Sequence, residues 1–503
     1  MARSLLICAG TMGAGETGVR AILVDGQRIA WVGAEPGLAP DHDRVVDVSD
    51  LWATPAFCDA HVHATATGLA ADGVDLSACE ALPAALERVR HGAATTEGPL
   101  VGSGWDETRW PEQRPPTADE LAEVAAGRMV RLARVDGHSC VADPATTAVA
   151  DEATGGVGVD RGPDGRPTGW LREQASEAAW QHVRAHLPAS RLESARRRFA
   201  ADAAGAGIGS IHEMGHPALS SAEDARRWST DGYGLEVTTW WAVPDAATAL
   251  DAGLRPGGDL FVDGSIGSAT AAVSRGYPDG SRGQLLLEPA AVANLFVDAT
   301  RAGVGAGVHA IGDRAIAIAA DAVDHAASAL GAAAVRGCRH RIEHVELPTS
   351  ASIATMAALG VTASVQPAFD AAWGGAGGLY AQRFGAATAL ASNPWDDMAD
   401  AGVWLALGSD APITPLDPWG GVSAAMRHRG GHSLSLVRAL HAHTVGGHRA
   451  AGVDDAGRLA PGQRADLALW DRMPSPPEGR PPGCVATIVR GAVIHGPAEL
   501  LPA

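Results

Sequence analysis

Two histidines separated by one residue close a short apolar run, Thr54-Pro55-Ala56-Phe57-Cys58-Asp59-Ala60-His61-Val62-His63. In an extended chain residues i and i+2 project from the same face, so His61 and His63 can turn both imidazoles toward one metal ion. Alone the pair is weak evidence in a chain with 19 histidines, because a motif gains meaning from its structural context. Further donors close later apolar runs: His309 in Val308-His309-Ala310-Ile311-Gly312-Asp313, His344 in Arg341-Ile342-Glu343-His344, and Asp410 in Leu407-Gly408-Ser409-Asp410-Ala411-Pro412. Imidazoles and a carboxylate together suit a divalent ion, Zn2+ first among them, and can leave a coordination position for water. Such an ion lowers the pKa of water to about 7 and polarises a neighbouring carbonyl. The chemistry indicated is hydrolysis by the resulting hydroxide, with Asp410 placed to take the proton from the attacking water and return it to the leaving group, and His344 or His309 to steady the oxyanion.

Such donors need a scaffold that brings distant strand ends together. Apolar, β-rich runs recur at Ala56 to Asp59, Ile208 to His212, Leu235 to Trp241, Leu260 to Asp263, Val304 to His309, Arg341 to His344, Val361 to Val365 and Val403 to Leu407. Ala-rich stretches with helical spacing separate several of them, at Pro289 to Arg301, Ala315 to Leu330 and Ser350 to Leu359. Eight strands alternating with helices predict a (β/α)8, TIM-like barrel, whose active site gathers at the C-terminal ends of the strands. His61, His63, His212, Asp263, His309, His344, Gln366 and Asp410 all lie at or just past such an end.

The flanks have a different texture. Short alternating runs and turns fill Ser4 to about Val48, and the same pattern returns from Gly457 in Ala465 to Trp470 and Ala486 to Gly491, which predicts β-structure. The expectation is a small β-sandwich formed by both chain ends, residues 1–54 and 450–503, around a barrel of 55–449. Residues 69–190 are too long for a simple crossover and read as a lid-like insertion after the first barrel strand. Within it Trp105, Arg109 and His138 are candidates to reach over the barrel mouth. Large aromatics serve mainly packing, so a core role competes with a substrate role for Trp105, as it does for Trp240, Trp241 and Trp373. Asp263 is a candidate substrate contact or, with Ser265, a turn and cap residue, and Asp313 is expected to cap the helix that starts near Ala315.

Composition bounds the reading. A chain of 503 residues accommodates one large barrel plus a satellite. Hydrophobic residues make up 46% of it, yet no apolar segment approaches the roughly 18 residues of a membrane span. Leu5 to Ala9 is too brief for the apolar core of a secretory signal, so a cytoplasmic location is expected. The six cysteines are scattered without Cys-x-x-Cys spacing, which fits free thiols in a reducing compartment. A net charge of −19 argues against nucleic acid, whose phosphates need clustered basic surface. The expected partner is a small-molecule substrate, with no membrane and with a homodimer as the candidate assembly. All 39 basic residues counted as Lys or Arg are arginine. The chain has no lysine.

Taken with Val24-Asp25-Gly26, Gly102-Ser103-Gly104-Trp105-Asp106-Glu107, Asp136-Gly137-His138, Gly165 to Glu173, Asp263-Gly264-Ser265-Ile266-Gly267-Ser268, Ser364-Val365-Gln366-Pro367 and Gly457 to Leu467, these donor motifs closely resemble the amidohydrolase superfamily. The resemblance is to the amidohydrolase-3 or YtcJ-like branch, which includes N-substituted formamide deformylases, and it spans nearly the whole chain. It implies that His61, His63 and Asp410 hold one metal, and that His309 and His344 hold a second or orient the water. Relatives usually bridge the two ions with a carbamylated lysine just before the Asp-Gly-Ser motif. That position falls on Asp259 here. Asp259 could give its carboxylate in place of the carbamate, although its shorter reach would shift either the metal or the strand. Alternatively a single ion is held, with His309 as third imidazole and His344 bonded to water or substrate, or catalysis has been lost. The expected cofactor is one or two divalent ions per subunit.

The leading expectation is a metal-dependent hydrolase of a non-peptide C–N bond, linear as in an N-substituted formamide or cyclic. An aminohydrolase that deaminates a ring amidine and a non-catalytic metal-binding homologue are the alternatives. Release of ammonia rather than of an acid or amine separates the first two.

Overall fold

The computed structural model describes residues 3–11, 18–135, 137, 139–473 and 481–500, which fall into two compact units. The first joins both chain ends to the barrel, and the second is the insertion, Ala64–Phe199 with Ala218–Ser220.

In the first unit eight parallel strands form one sheet: β1 (Phe57–Val62), β2 (Ile208–Gly215), β3 (Glu236–Trp241), β4 (Arg255–Phe261), β5 (Gly307–Ala310), β6 (Arg341–His344), β7 (Thr362–Val365) and β8 (Trp404–Leu407). They follow one another in sequence order from β1 to β8. Every residue of β1, β2, β5, β6 and β7 is buried, as expected of parallel strands with both faces covered. The ring nearly closes. Past the end of β8, the Asp410 amide donates to the His61 carbonyl at 2.7 Å and the His63 amide donates to the Ala411 carbonyl at 2.9 Å. Gly408 permits this approach, since a Cβ there would lie 2.6 Å from the His61 nitrogen.

The intervening helices are set by local signals. The helix Pro289–Arg301 begins with proline in its first turn, where the missing N–H costs nothing. Ser350–Leu359 is capped by the Thr349 hydroxyl, which accepts from the Ser352 amide, and it ends at Gly360 with φ +67°, the left-handed residue that terminates many helices. The helix Asp313–Leu330 starts two residues before the expected position, and its N-cap is Gly312. Asp313 does not cap it. Its carboxylate instead accepts from the Ser274 amide at 2.8 Å and from the Ser274 hydroxyl, tying the loop after β4 to the start of this helix.

Both chain ends build one seven-stranded mixed sheet, in the order Ala492–His495, Cys484–Val489, Leu467–Trp470, Arg44–Pro55, Arg3–Thr11, Ala21–Asp25 and Arg28–Gly33. Leu6, Ile22, Val24, Val46, Leu467, Leu469 and Ile488 form its core. The strand Arg44–Pro55 runs almost directly into β1. Across that junction the Trp470 indole donates to Thr54 Oγ1 at 2.9 Å, and its ring lies 5.9 Å from Phe57 and 5.4 Å from Trp419.

The second unit carries its own six-stranded sheet, ordered Val159–Arg161, Pro167–Arg172, Ser139–Ala142, Val130–Arg134, Leu100–Trp105 and Val74–Asp75. Leu76, Leu82, Val89, Trp105, Trp110, Leu121 and Leu132 pack its core. Cysteines are free, five of them buried. No helix among the described residues is long and apolar enough to cross a membrane.

Candidate metal centre

The β1 strand delivers His61 and His63 to the C-terminal end of the barrel, the loop after β8 delivers Asp410, β5 delivers His309, β6 delivers His344, and β4 delivers Asp259. His61, His63 and Asp410 present ligand atoms within 4.8 Å of one another, as do His61, Asp259 and His344. His61 Nε2 lies 3.5 Å from Asp410 Oδ1 and 3.9 Å from Asp259 Oδ1. His63 Nε2 lies 3.3 Å from Asp410 Oδ1 and 3.5 Å from Asp259 Oδ2. His309 Nδ1 and His344 Nε2 approach Asp259 Oδ1 at 3.2 and 3.4 Å. The Asp259 carboxylate therefore stands among four imidazoles.

The far nitrogen of each ring determines what the near one offers. His61 Nδ1 donates to Glu343 Oε2 at 2.9 Å, His63 Nδ1 to the Met214 carbonyl at 2.9 Å, and His344 Nδ1 to Gln366 Oε1 at 2.8 Å. His309 is turned the other way, with Nε2 donating to the Gly264 carbonyl at 3.3 Å. With these protons placed outward, four nitrogen lone pairs point inward at two carboxylates. His61 Nε2 and Asp410 Oδ1 are buried without a hydrogen-bond partner among the described residues, which is costly unless a cation or protons lie between them. Burial opposes a charged His63, but the nearby carboxylates of Asp410 and Asp259 outweigh it and raise its pKa to about 9. Burial likewise opposes a charged His344, and Asp259 and Asp410 raise it to about 9. Burial disfavours the Asp259 anion, yet His309, His344 and His61 hold its carboxyl well below the usual range. An environment that draws protons onto two buried imidazoles is one that accepts a cation, and nitrogen with oxygen donors fits Zn2+.

Strained backbone occurs here too. His344, Val345 and Asp410 have φ of +71°, +52° and +55°, a region costly for non-glycine residues and most of all for a β-branched one. On β4 the backbone turns at two consecutive glycines, Gly257 and Gly258, with φ +75° and +79°, and the pairing with β5 shifts register between Gly257 and Phe261. A Cβ at Gly257 would lie 2.0 Å from the Gly307 carbonyl oxygen, and one at Gly258 would lie 2.5 Å from Trp240 Cβ. Asp259 follows this kink.

Other candidates from the sequence are placed elsewhere. Asp263 is fully buried and accepts from the amides of Ala272 at 2.7 Å, Gly312 at 2.8 Å and Ile311 at 3.0 Å. Its carboxylate is spent on backbone amides far along the chain, tying the loop after β4 to the segment after β5, a role that neither the turn nor the substrate reading anticipates. Trp105 has no exposed surface and donates its indole N–H to the Leu132 carbonyl at 2.8 Å, which makes it a core residue of the insertion rather than a substrate contact. His138 lies outside the described residues. His212 sits deeper in the barrel, with Nδ1 2.7 Å from Arg341 Nη1, and does not join the ligand groups. Residues whose roles were not anticipated are Glu343 and Arg341, two charges flanking Ile342 in a four-residue buried strand, and His216 just past β2. His216 stacks on Phe261 at 4.8 Å, Phe261 faces His309 at 4.6 Å, and burial pushes its pKa down to about 4.

Comparisons with known proteins supply the family. The amidohydrolase family model matches residues 44–495. The chain belongs to the amidohydrolase family. An N-substituted formamide deformylase from Arthrobacter pascens is 28% identical, with 92% of each chain covered. A putative amidohydrolase, YtcJ, from Bacillus subtilis strain 168 is 24% identical, with 84% of each chain covered. Among solved structures, a metal-dependent hydrolase from Pyrococcus horikoshii OT3 superposes with a TM-score of 0.76 at 23% identity, covering 93% of this chain and 97% of its own. That likeness establishes a shared fold. Within this hydrolase family the chain presents His61, His63 and Asp410 as a candidate metal site.

Proposed function

We propose that this amidohydrolase cleaves a non-peptide C–N bond of amide type, with a linear N-substituted formamide as the first substrate class to test and a cyclic amide as the second. The observation that carries the reading is the convergence of His61 Nε2, His63 Nε2 and Asp410 Oδ1 at the C-terminal end of the barrel, two of these atoms being buried and unpartnered. Identity over nearly full length to an N-substituted formamide deformylase supports the substrate class.

His61, His63 and Asp410 would hold a divalent ion, with Asp259, His309 and His344 as the donors to a second, weaker position. When bound, such an ion polarises the carbonyl and makes water acidic near neutral pH. Asp410 acts as base and then acid, taking the water proton on its carboxylate and giving it to the leaving nitrogen. His344 holds its Nδ1 proton on Gln366 and so keeps Nε2 turned to the centre; with a second proton on Nε2, which its pKa of about 9 allows, it would donate to the charge that develops on the carbonyl oxygen, and without that proton Nε2 is a donor to the second position instead. Burial excludes bulk water from these groups and strengthens each interaction.

The test is turnover of N-substituted formamides and cyclic amides by zinc-loaded protein, with amine, acid and ammonia measured separately. Amine and acid are expected from the linear substrates. Asp410→Asn is expected to lower kcat/KM by about 10²–10⁴-fold, the usual worth of a positioned proton carrier. Ammonia as the sole nitrogen product from ring amidines, with amides untouched, would overturn the assignment in favour of a deaminase.

A further inference from the structure

Beneath His61 the barrel interior holds a buried ion pair that the hydrolytic steps do not use. Glu343 has no exposed surface, and Arg341 on the same strand is 1% exposed. Arg341 Nε lies 2.5 Å from Glu343 Oε1, and Nη2 lies 2.8 Å from Oε2. The guanidinium is fixed on every side: Nη2 also donates to the Ala60 carbonyl at 2.6 Å and to Ser364 Oγ at 2.7 Å, Nη1 meets His212 Nδ1 at 2.7 Å, and its carbon lies 4.6 Å from the Trp240 ring. Interiors of such barrels are usually filled by branched apolar side chains, and burying two charges costs more than packing hydrophobic groups of similar volume. Apart from Arg341, the partner given to the Glu343 carboxylate is the His61 imidazole.

The four imidazoles of the centre differ in what stands behind them. His63, His309 and His344 hydrogen-bond neutral acceptors, the Met214 and Gly264 carbonyls and the Gln366 amide, with the Asp263 carboxylate 3.9 Å behind His309 Nε2, whereas His61 hydrogen-bonds a carboxylate directly, at 2.9 Å. His61 is also the residue common to both buried ligand groups, with Asp410 on one side and Asp259 on the other. A carboxylate behind an imidazole fixes its tautomer and makes it a stronger donor to metal.

We propose that Arg341 and Glu343 are a positioning pair, in which Arg341 anchors Glu343 and Glu343 holds the His61 Nδ1 proton, so that His61 Nε2 is the strongest donor of the centre and sets how tightly the ion beside His63 and Asp410 is held. The inference rests on the metal-dependent reading above.

The experiment strips the protein with a chelator and titrates it with Zn2+ alone against a chromophoric competitor. Glu343→Gln keeps the shape and an acceptor but removes the charge. It is expected to weaken the tighter zinc step by about 10–100-fold, the usual worth of such an outer partner, with stoichiometry retained. Because this variant leaves Arg341 unpaired, the double variant Arg341→Met with Glu343→Gln removes both charges and is expected to show the same loss while its zinc-free melting temperature stays near that of the wild type. Ring-nitrogen NMR shifts of His61 report the pairing directly, and a purely structural role would leave them unchanged. Wild-type zinc affinity in a folded double variant overturns the proposal and leaves the hydrolase reading intact. A wild type that takes up no zinc overturns both.

Discussion

At the scale of single residues, Asp259 is where this chain departs from the pattern it otherwise follows. An aspartate ionises without help, whereas a lysine becomes an anionic bridge only after reacting with carbon dioxide, and this chain has no lysine to react. Zinc loading of stripped protein is therefore expected to be the same in bicarbonate-depleted and bicarbonate-supplemented buffer. Loading that rises with bicarbonate would show that Asp259 does not fill the place. Asp259→Asn keeps the side-chain volume and removes the charge that faces His309, His344 and His63. It is expected to lose the weaker zinc step in the same titration while the step at His61, His63 and Asp410 persists. His61, His63, His309, His344 and Asp410 were legible in the sequence because each closes or just follows an apolar run, whereas Asp259 was reached only through the family resemblance. What stands behind each ring was not, since the Met214 carbonyl, the Gly264 carbonyl and Gln366 are neighbours of those rings only once the strands are side by side.

At the scale of elements, β4 shows why legibility varied. The apolar run Leu260 to Asp263 marked its end, but Arg255-Pro256-Gly257-Gly258 has none of the residues that favour strands, and the strand is made by its neighbours. Gly258→Ala is expected to destabilise the fold by about 1–2 kcal/mol for the left-handed backbone alone, with more from the contact at Trp240, and to reduce zinc uptake by moving Asp259. Helices such as Pro289–Arg301 and Ser350–Leu359 were readable to the residue, because proline, a threonine cap and glycine punctuate them. The sheet of the insertion was not, since several of its strands are only two to four residues long, as at Val74–Asp75, Val159–Arg161 and Ser139–Ala142. Just before β6, His340 accepts from the Ala306 amide at 3.1 Å through Nδ1 and meets Thr300 Oγ1 at 2.9 Å. Burial pushes its pKa down to about 4 from 6.5. The unfolded chain takes up this proton first as pH falls, so the stability that neutral His340 contributes is complete above pH 6.5 and is lost as pH falls through 4. Urea titrations between those values should show the wild type losing stability more steeply than His340→Gln, by up to about 1.4 kcal/mol per pH unit.

At the scale of the whole molecule, the first unit is one structure because its ends return to its beginning. Trp470 from the C-terminal part is wedged against Phe57 and Trp419 and bonded to Thr54. Trp470→Ala is expected to cost about 3–5 kcal/mol, measured by chemical unfolding, and to lower zinc retention by loosening the approach to β1. The near-closure of the barrel has a further consequence. The hydrogen bonds that join its first strand to the segment after its last are made by the backbones of His61, His63, Asp410 and Ala411, three of which also supply the ligand side chains. A cation held by those side chains is a clasp on the seam of a ring. Slow exchange of the His63 and Asp410 amide hydrogens with solvent would then register whether the clasp is fastened, and would do so in the absence of any substrate.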